Sequence, residues 1–246
     1  MSKSSIHSAY KSLLQRGRLT PSPTQAALVD RLASLQTTLV KSSSPTRGLY
    51  IHGSVGTGKS RLADLFASTL PTTVSSRRIH FYEFMMDIHS RLHVARSQSS
   101  YIGDPLVQIG QQVGEESRVL CFDEFQVTDI ADAMILKRLF GGFWSEGGVV
   151  VATSNRKPDM LYERGLNRPL FLPFIAELEK RCEVWELEAE EDYRMAGVKD
   201  GGEKTDVFFT DDAGFWKYFS NVTKGKKVES MTISVMMSRT LEVEGI

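Results

Sequence analysis

Cysteine is scarce in this chain, with only Cys121 and Cys182 in 246 residues. Both fall in predicted strands, which points to buried thiols in a reduced compartment rather than a disulfide framework, so stability must come from a hydrophobic core. No apolar run approaches the length of about 18 residues that a membrane-spanning helix needs; Gly148–Thr153 and Val119–Phe122 are strand-sized. There is no internal repeat, and no net charge, because 30 Lys and Arg balance 30 Asp and Glu. Acidic residues are also missing before Asp30, where Lys3, Lys11, Arg16, Arg18 and several serines give the composition of an organelle transit peptide. Tyr10–Val40 also reads as ordered helix, which leaves little room for a removable leader. The expectation is a soluble intracellular chain.

The balance of signs is uneven along the chain. Residues 1–100 carry 13 Lys/Arg against 4 Asp/Glu, whereas residues 101–246 carry 17 against 26. A basic first half could favour nucleic acid or an acidic partner surface. The reading adopted is that the halves neutralise each other within the fold or between subunits.

What the chain does contain is 41% hydrophobic residues, enough to bury a core in one or two domains. It also contains one decisive loop. Gly53-Ser54-Val55-Gly56-Thr57-Gly58-Lys59-Ser60 fits G-x-x-x-x-G-K-[ST], the loop that wraps nucleotide phosphates. The apolar run Gly48–His52 before it reads as a buried strand. Leu62, Leu65, Phe66 and Leu70 after it recur at helical spacing. Strand, glycine-rich loop and helix form the context this motif requires. Its glycines allow successive N–H groups to converge on one anion, and the following helix adds its positive end. Lys59 suits the β- and γ-phosphates of a nucleoside triphosphate such as ATP, and the Ser60 hydroxyl suits Mg²⁺.

Residues Thr24–Val40 read as a helix capped by Thr24, residues 78–82 as a strand and Glu83–Ala95 as a helix. His89 and His93 stand four apart on that helix, but position 90 is not Glu and no third ligand is evident, so they read as ordinary surface histidines. A further helix is placed near Pro105–Val113.

Val119-Leu120-Cys121-Phe122-Asp123-Glu124 is an apolar strand ending in two carboxylates. In that pairing Asp123 would hold Mg²⁺ and Glu124 would act as general base on an attacking water. Thr128–Trp144 follows as a helix whose end Gly141 and Gly142 should loosen. Gly148–Asn155 is the next buried strand. Parallel strands share one carboxyl-end side, so Asn155 should lie beside the phosphates with Asp123 and Lys59. There it could orient water or sense the γ-phosphate, or simply cap the next turn. Pro158 starts a short helix, Phe171–Lys180 reads as a helix and Cys182–Leu187 as a closing strand. Val207–Phe209 and Phe215–Phe219 should be packed pieces.

These segments accumulate into a resemblance. Gly48-Leu-Tyr-Ile-His-Gly, Ile79-His-Phe-Tyr-Glu-Phe-Met, Leu120-Cys-Phe-Asp-Glu-Phe-Gln-Val-Thr-Asp and Val151-Ala-Thr-Ser-Asn resemble the AFG-one-like ATPase family, whose bacterial members are the ZapE proteins. Gly165-Leu-Asn-Arg-Pro-Leu-Phe-Leu-Pro-Phe-Ile and Asp192-Tyr-Arg are similar too. The resemblance implies an α/β P-loop NTPase of the AAA+ type: a parallel five-stranded sheet of order 5-1-4-3-2 with helices on both faces. It divides the chain into an N-terminal helical segment (1–47), an ATPase core (48–188) and the start of a C-terminal region (189–246). It further implies ATP hydrolysis with Mg²⁺, a homo-oligomeric ring, a hexamer with ATP between subunits, protein substrates, and in eukaryotes a mitochondrial location linked to quality control. A bacterial-type member would be cytoplasmic. The family's sensor position falls on Asn155, and its arginine finger on Arg168, with Arg164 as the competitor. Family members continue into helices that bear a second sensor arginine, and the sequence to Leu241–Ile246 resembles only the start of that region.

Overall fold

The computed structural model describes residues 5–19, 21–41, 46–97, 103–188, 212–223, 229–235 and 239–245. The chain divides into two compact units, residues 1–199 and 200–246. In the first, α1 (Ile6–Gln15) and α2 (Pro23–Lys41) precede β1 (Gly48–His52) and α3 (Lys59–Thr69). Next come β2 (Ser76–His80), α4 (Phe81–Ser97), α5 (Pro105–Glu116), β3 (Val119–Asp123), α6 (Ile130–Ser145) and β4 (Val149–Ser154). Two short 3-10 turns, Pro158–Met160 and Arg168–Leu170, lead to α7 (Leu172–Arg181) and β5 (Cys182–Glu186). The five strands pair in the order β2-β3-β4-β1-β5, all parallel, as the resemblance implies.

Strand residues alternate between two cores. Leu49, Ile51, Val119, Cys121, Val149 and Val151 pack with α1, α2 and α3, whereas Tyr50, Leu120, Phe122, Val150 and Ala152 pack with α4–α7. A parallel sheet covered on both faces needs apolar residues at every position, which is why these strands read as continuous apolar runs. One core is rich in leucine, including Leu28, Leu32, Leu35 and Leu62. The other is aromatic: ring centroids lie 4.2 Å apart for Phe81–Phe125 and 4.9 Å for Phe84–Phe122. Ile6 and Tyr10 are buried in the leucine-rich core, so the N-terminal helices are built into this unit.

Several boundaries differ from expectation for local reasons. α2 starts with Pro23 at its first position, where the missing N–H costs nothing, and the Thr24 hydroxyl donates to the Glu188 carbonyl instead of capping. β2 ends at His80 because Phe81, Phe84, Met85 and Ile88 already form a buried helical stripe. α6 starts later than expected, at Ile130, capped by the Asp129 side chain, which accepts from the Ala131 N–H. Gly142 does not loosen α6. A Cβ there would lie 2.1 Å from the Val107 carbonyl oxygen, and one on Gly110 would lie 2.0 Å from that of Leu139. The two glycines let α5 and α6 approach backbone to backbone, and α6 runs on to Ser145.

The uneven charge is partly neutralised inside this unit. Arg31 pairs with Glu183 at 2.7 Å and Arg91 with Glu116 at 2.6 Å. The second unit holds a helix, Asp212–Val222, and an antiparallel pair, β6 (Glu229–Val235) with β7 (Arg239–Gly245), which the sequence reading did not anticipate. On its helix the rings of Phe215, Trp216 and Phe219 contact one another. Val207–Phe209 and Asp192–Arg194 lie outside the described residues. Among the described residues no helix is long and apolar enough to cross a membrane.

Candidate functional site

The loop Gly53–Ser60 joins the end of β1 to the first residue of α3. Gly58 takes a φ of 89°, a left-handed turn open to glycine at little cost, and it aims the loop's backbone at the helix start. The N–H groups at that start have no partner within the helix, which makes them anion donors. Lys59 is 7% exposed, and its ammonium donates to the carbonyls of Gly53 at 2.8 Å and Ser54 at 2.6 Å. The N-terminal helices support the loop from behind. Gln25, buried on α2, donates through Nε2 to the Thr57 carbonyl at 3.0 Å, and the Tyr10 hydroxyl donates to Gln25 Oε1 at 3.5 Å.

Asp123 ends β3 directly opposite Ser60. Its Oδ1 accepts from Ser60 Oγ at 2.7 Å and from Thr153 Oγ1 at 2.6 Å, while its Oδ2 faces a terminal nitrogen of Arg78 at 3.0 Å. Burial alone would raise this carboxyl, but the hydroxyls of Thr153 and Ser60 and the Arg78 guanidinium outweigh it and hold the group below the usual carboxylate range. Asp123 is therefore ionised at neutral pH. The Ser60 hydroxyl spends its one proton on Asp123 and keeps its lone pairs for a cation. An ionised carboxylate beside a hydroxyl oxygen is a hard donor set, and it fits Mg²⁺.

Glu124 follows with a φ of 51°, left-handed and rare for a side chain of this size. The kink turns it out of the strand, while its N–H donates to Thr153 Oγ1 at 3.3 Å and the N–H of Phe125 donates to the Thr153 carbonyl at 2.7 Å. Thr153 thus fixes both carboxylate residues with one hydroxyl. The Ser154 hydroxyl donates to the Phe125 carbonyl at 2.8 Å, which secures the far side of the same kink.

A cavity of about 600 Å³ opens above these groups. It is lined by Val55–Arg61 on the loop side, by Glu124, Thr153, Ser154 and Asn155 at the strand ends, and by Arg18 and Leu19 between α1 and α2. The structure brings Lys59, Ser60, Asp123, Glu124 and Asn155 to one end of the sheet. Arg168 is not among the lining residues. It lies on the second 3-10 turn, where one terminal nitrogen donates to the Asp159 carbonyl and Nε is buried without a hydrogen-bond partner. Arg164 is exposed and left-handed, with a φ of 61°. His89 is paired with Asp132 at 2.7 Å across to α6.

Sequence reasoning missed Thr153, Arg78, Gln25, Arg18 and Leu19. A signal existed for Arg78: it lies opposite Cys121 in the register, so it shares a sheet face with Asp123 two residues on. Nothing in the local sequence signals that Gln25 reaches the loop.

The match to known proteins agrees with this geometry. A profile of the AFG1-like ATPase family matches residues 4–245. The chain belongs to that family. Lactation elevated protein 1 homolog B of Danio rerio is 46% identical over 165 residues, which cover 64% of this chain and 33% of that protein. Cell division protein ZapE of Escherichia coli K12 is 41% identical over 176 residues, 71% of this chain and 46% of ZapE. The chain thus spans less than half the length of the curated relatives it matches. AMPPCP-bound DnaA from Aquifex aeolicus superposes with a TM-score of 0.51 at 15% identity, over 74% of this chain and 52% of DnaA. That likeness is one of fold, the P-loop sheet with helices on both faces.

Proposed function

We propose that this chain binds ATP with Mg²⁺ at the Gly53–Ser60 loop and hydrolyses it. The observation that carries the reading is the lining of one cavity by Lys59, Ser60, Glu124 and Asn155, with Asp123 bonded to Ser60. The loop N–H groups and Lys59 bind the phosphates, and Ser60 and Asp123 hold the cation. Mg²⁺ supplies charge neutralisation on the terminal phosphates. Glu124 takes the proton of the attacking water, and Asn155 orients that water from the neighbouring strand end. Leu19 and Arg18 offer an apolar surface and a guanidinium plane against which a base can lie. The AMPPCP held by the DnaA neighbour supports a nucleotide at this loop.

In the same reading the chain works as a ring, with Arg168 reaching the cavity of the next copy. The segment around Arg168 supports this: Met160, Leu166, Leu170 and Leu172 are exposed there, an apolar rim around a guanidinium. Protein clients and a mitochondrial quality-control role follow from the family resemblance, and the bacterial relative's name points to cell division.

Glu124→Gln tests the core of the proposal. The variant keeps the side chain's shape but removes the base, so ATP should stay bound while turnover falls by about 10²-fold or more. Turnover at the parental rate would sink the reading. Salt-sensitive stimulation by DNA or RNA would move the client class from protein to nucleic acid.

A further inference from the structure

Arg78 lies on β2 behind the cation site, and its guanidinium is divided between two carboxylates. Nε donates to Asp64 Oδ1 on α3 at 2.8 Å, and a terminal nitrogen faces Asp123 Oδ2 at 3.0 Å. The Arg78 and Asp123 side chains are 22% and 13% exposed, while Asp64 is 60% exposed. The other oxygen of Asp123 is already engaged by Ser60 and Thr153. Neither Arg78 nor Asp123 lines the cavity; Asp123 meets it through Ser60 and Thr153, which do, while Arg78 takes the other carboxylate oxygen.

We propose that Arg78 is a positioning residue for the Mg²⁺ site. By clamping Oδ2 it fixes the rotation of the Asp123 carboxylate, so that Oδ1 stays on the Ser60 hydroxyl. Asp64 in turn fixes the guanidinium. This inference rests on the reading that Ser60 and Asp123 hold Mg²⁺.

A cation beside a metal-binding carboxylate also weakens that carboxylate's pull on a metal. Two features limit this cost. Arg78 takes the carboxylate oxygen that Ser60 does not, and Asp64 offsets its charge, so the Asp64–Arg78–Asp123 trio keeps the net charge of a lone Asp123. Orientation is the larger effect, and it has the opposite sign, which makes the direction of change decisive.

The experiment titrates Mg²⁺ into the chain with a fluorescent, slowly hydrolysed ATP analogue and reads the Mg²⁺ midpoint for tight binding. Binding in EDTA serves as the control for an intact loop and fold. Arg78→Gln should raise the midpoint by about tenfold, the usual lower cost of losing an outer-shell partner of a metal ligand, with EDTA binding unchanged. Arg78→Lys should fall between, because one ammonium cannot make the forked contact to both carboxylates. Asp64→Asn should shift the midpoint the same way by less. An unchanged or lowered midpoint in Arg78→Gln would overturn the proposal, as would loss of EDTA binding, which would assign Arg78 to the fold alone. Asp123→Asn run alongside separates the two readings. If it leaves the midpoint in place, the Mg²⁺ assignment itself fails; if it shifts the midpoint and Arg78→Gln does not, only the role of Arg78 fails.

Discussion

The strand ends and the segment after Asn155 place their polar residues by different physics. At the strand ends, Lys59, Asp123, Glu124 and Asn155 meet because parallel strands deliver their carboxyl ends to one side of the sheet. Asp123 and Glu124 are then held by neighbours in the same chain: Asp123 by two hydroxyls, Glu124 by Thr153. Between Asn155 and α7 there is no strand to fix direction. Tyr162, Arg164 and Asn167 all take left-handed φ values, and Arg168 ends on a backbone carbonyl nine residues back. Within one chain, the first region forms a nearly complete half-site and the second faces elsewhere.

The largest effect that separates the two regions is expected from Arg168→Ala. Acting in trans, a finger should leave each copy's own cavity intact, so ATP affinity should hold while turnover drops by about 10³-fold or more. A residue that served only as a surface contact would change little on removal. Mixing Arg168→Ala with Lys59→Ala subunits should restore part of the activity, because each supplies the half-site the other lacks. Absence of recovery in demonstrably mixed assemblies, or full activity in Arg168→Ala alone, would move the finger to Arg164 or out of this chain.

Asn155→Ala tests the strand-end side with a smaller effect. Losing one preorganised polar group near the reacting water should cost about 10²-fold in turnover, since such groups matter more in the transition state than in the bound state. KM for ATP should barely move. If KM rose while kcat stayed, Asn155 would be binding ground-state phosphate or capping the turn, and the water-orienting role would be lost.

The legible part of this molecule is the part governed by period and topology. Continuous apolar strands, the loop glycines and the carboxylate pair are local patterns, and parallel pairing then carries Asn155 into the site. Contacts set by tertiary packing were not legible. Gly142 reads as a helix breaker until α5 is brought against it, when the Val107 carbonyl explains the missing side chain. Gln25 acts across 32 residues of sequence on Thr57, and no periodicity encodes such a pair, while Arg78 meets Asp123 45 residues on only once the β2–β3 register is set. Thr153 was hidden differently, inside a strand whose every other residue is read as core.

Thr153→Val yields the smallest of these effects and tests whether the strand-end region is preorganised by its own chain. Valine keeps the volume and removes the hydroxyl, so Asp123 loses a donor and the Glu124 N–H loses its acceptor. Hydrogen bonds to charged groups contribute about 1.5–3 kcal/mol each, but solvent reaching this cavity edge can replace part of that, so a loss of roughly 1–2 kcal/mol is expected at pH 7. The pH dependence carries the diagnosis. Asp123 is depressed when folded, burial working against its Thr153, Ser60 and Arg78 partners, so its stabilising contribution is full above the ordinary carboxylate value and fades as pH falls through the lower folded value. Removing Thr153 brings the folded value back toward the unfolded one. The deficit of Thr153→Val should therefore be largest near neutrality and shrink below about pH 4, where the unfolded carboxylate takes up its proton. Urea unfolding in EDTA at neutral and acid pH measures both numbers. A deficit that stays constant across that range would mean that Thr153 acts through packing or the Glu124 N–H rather than through Asp123, and the order of that carboxylate would not rest on this hydroxyl.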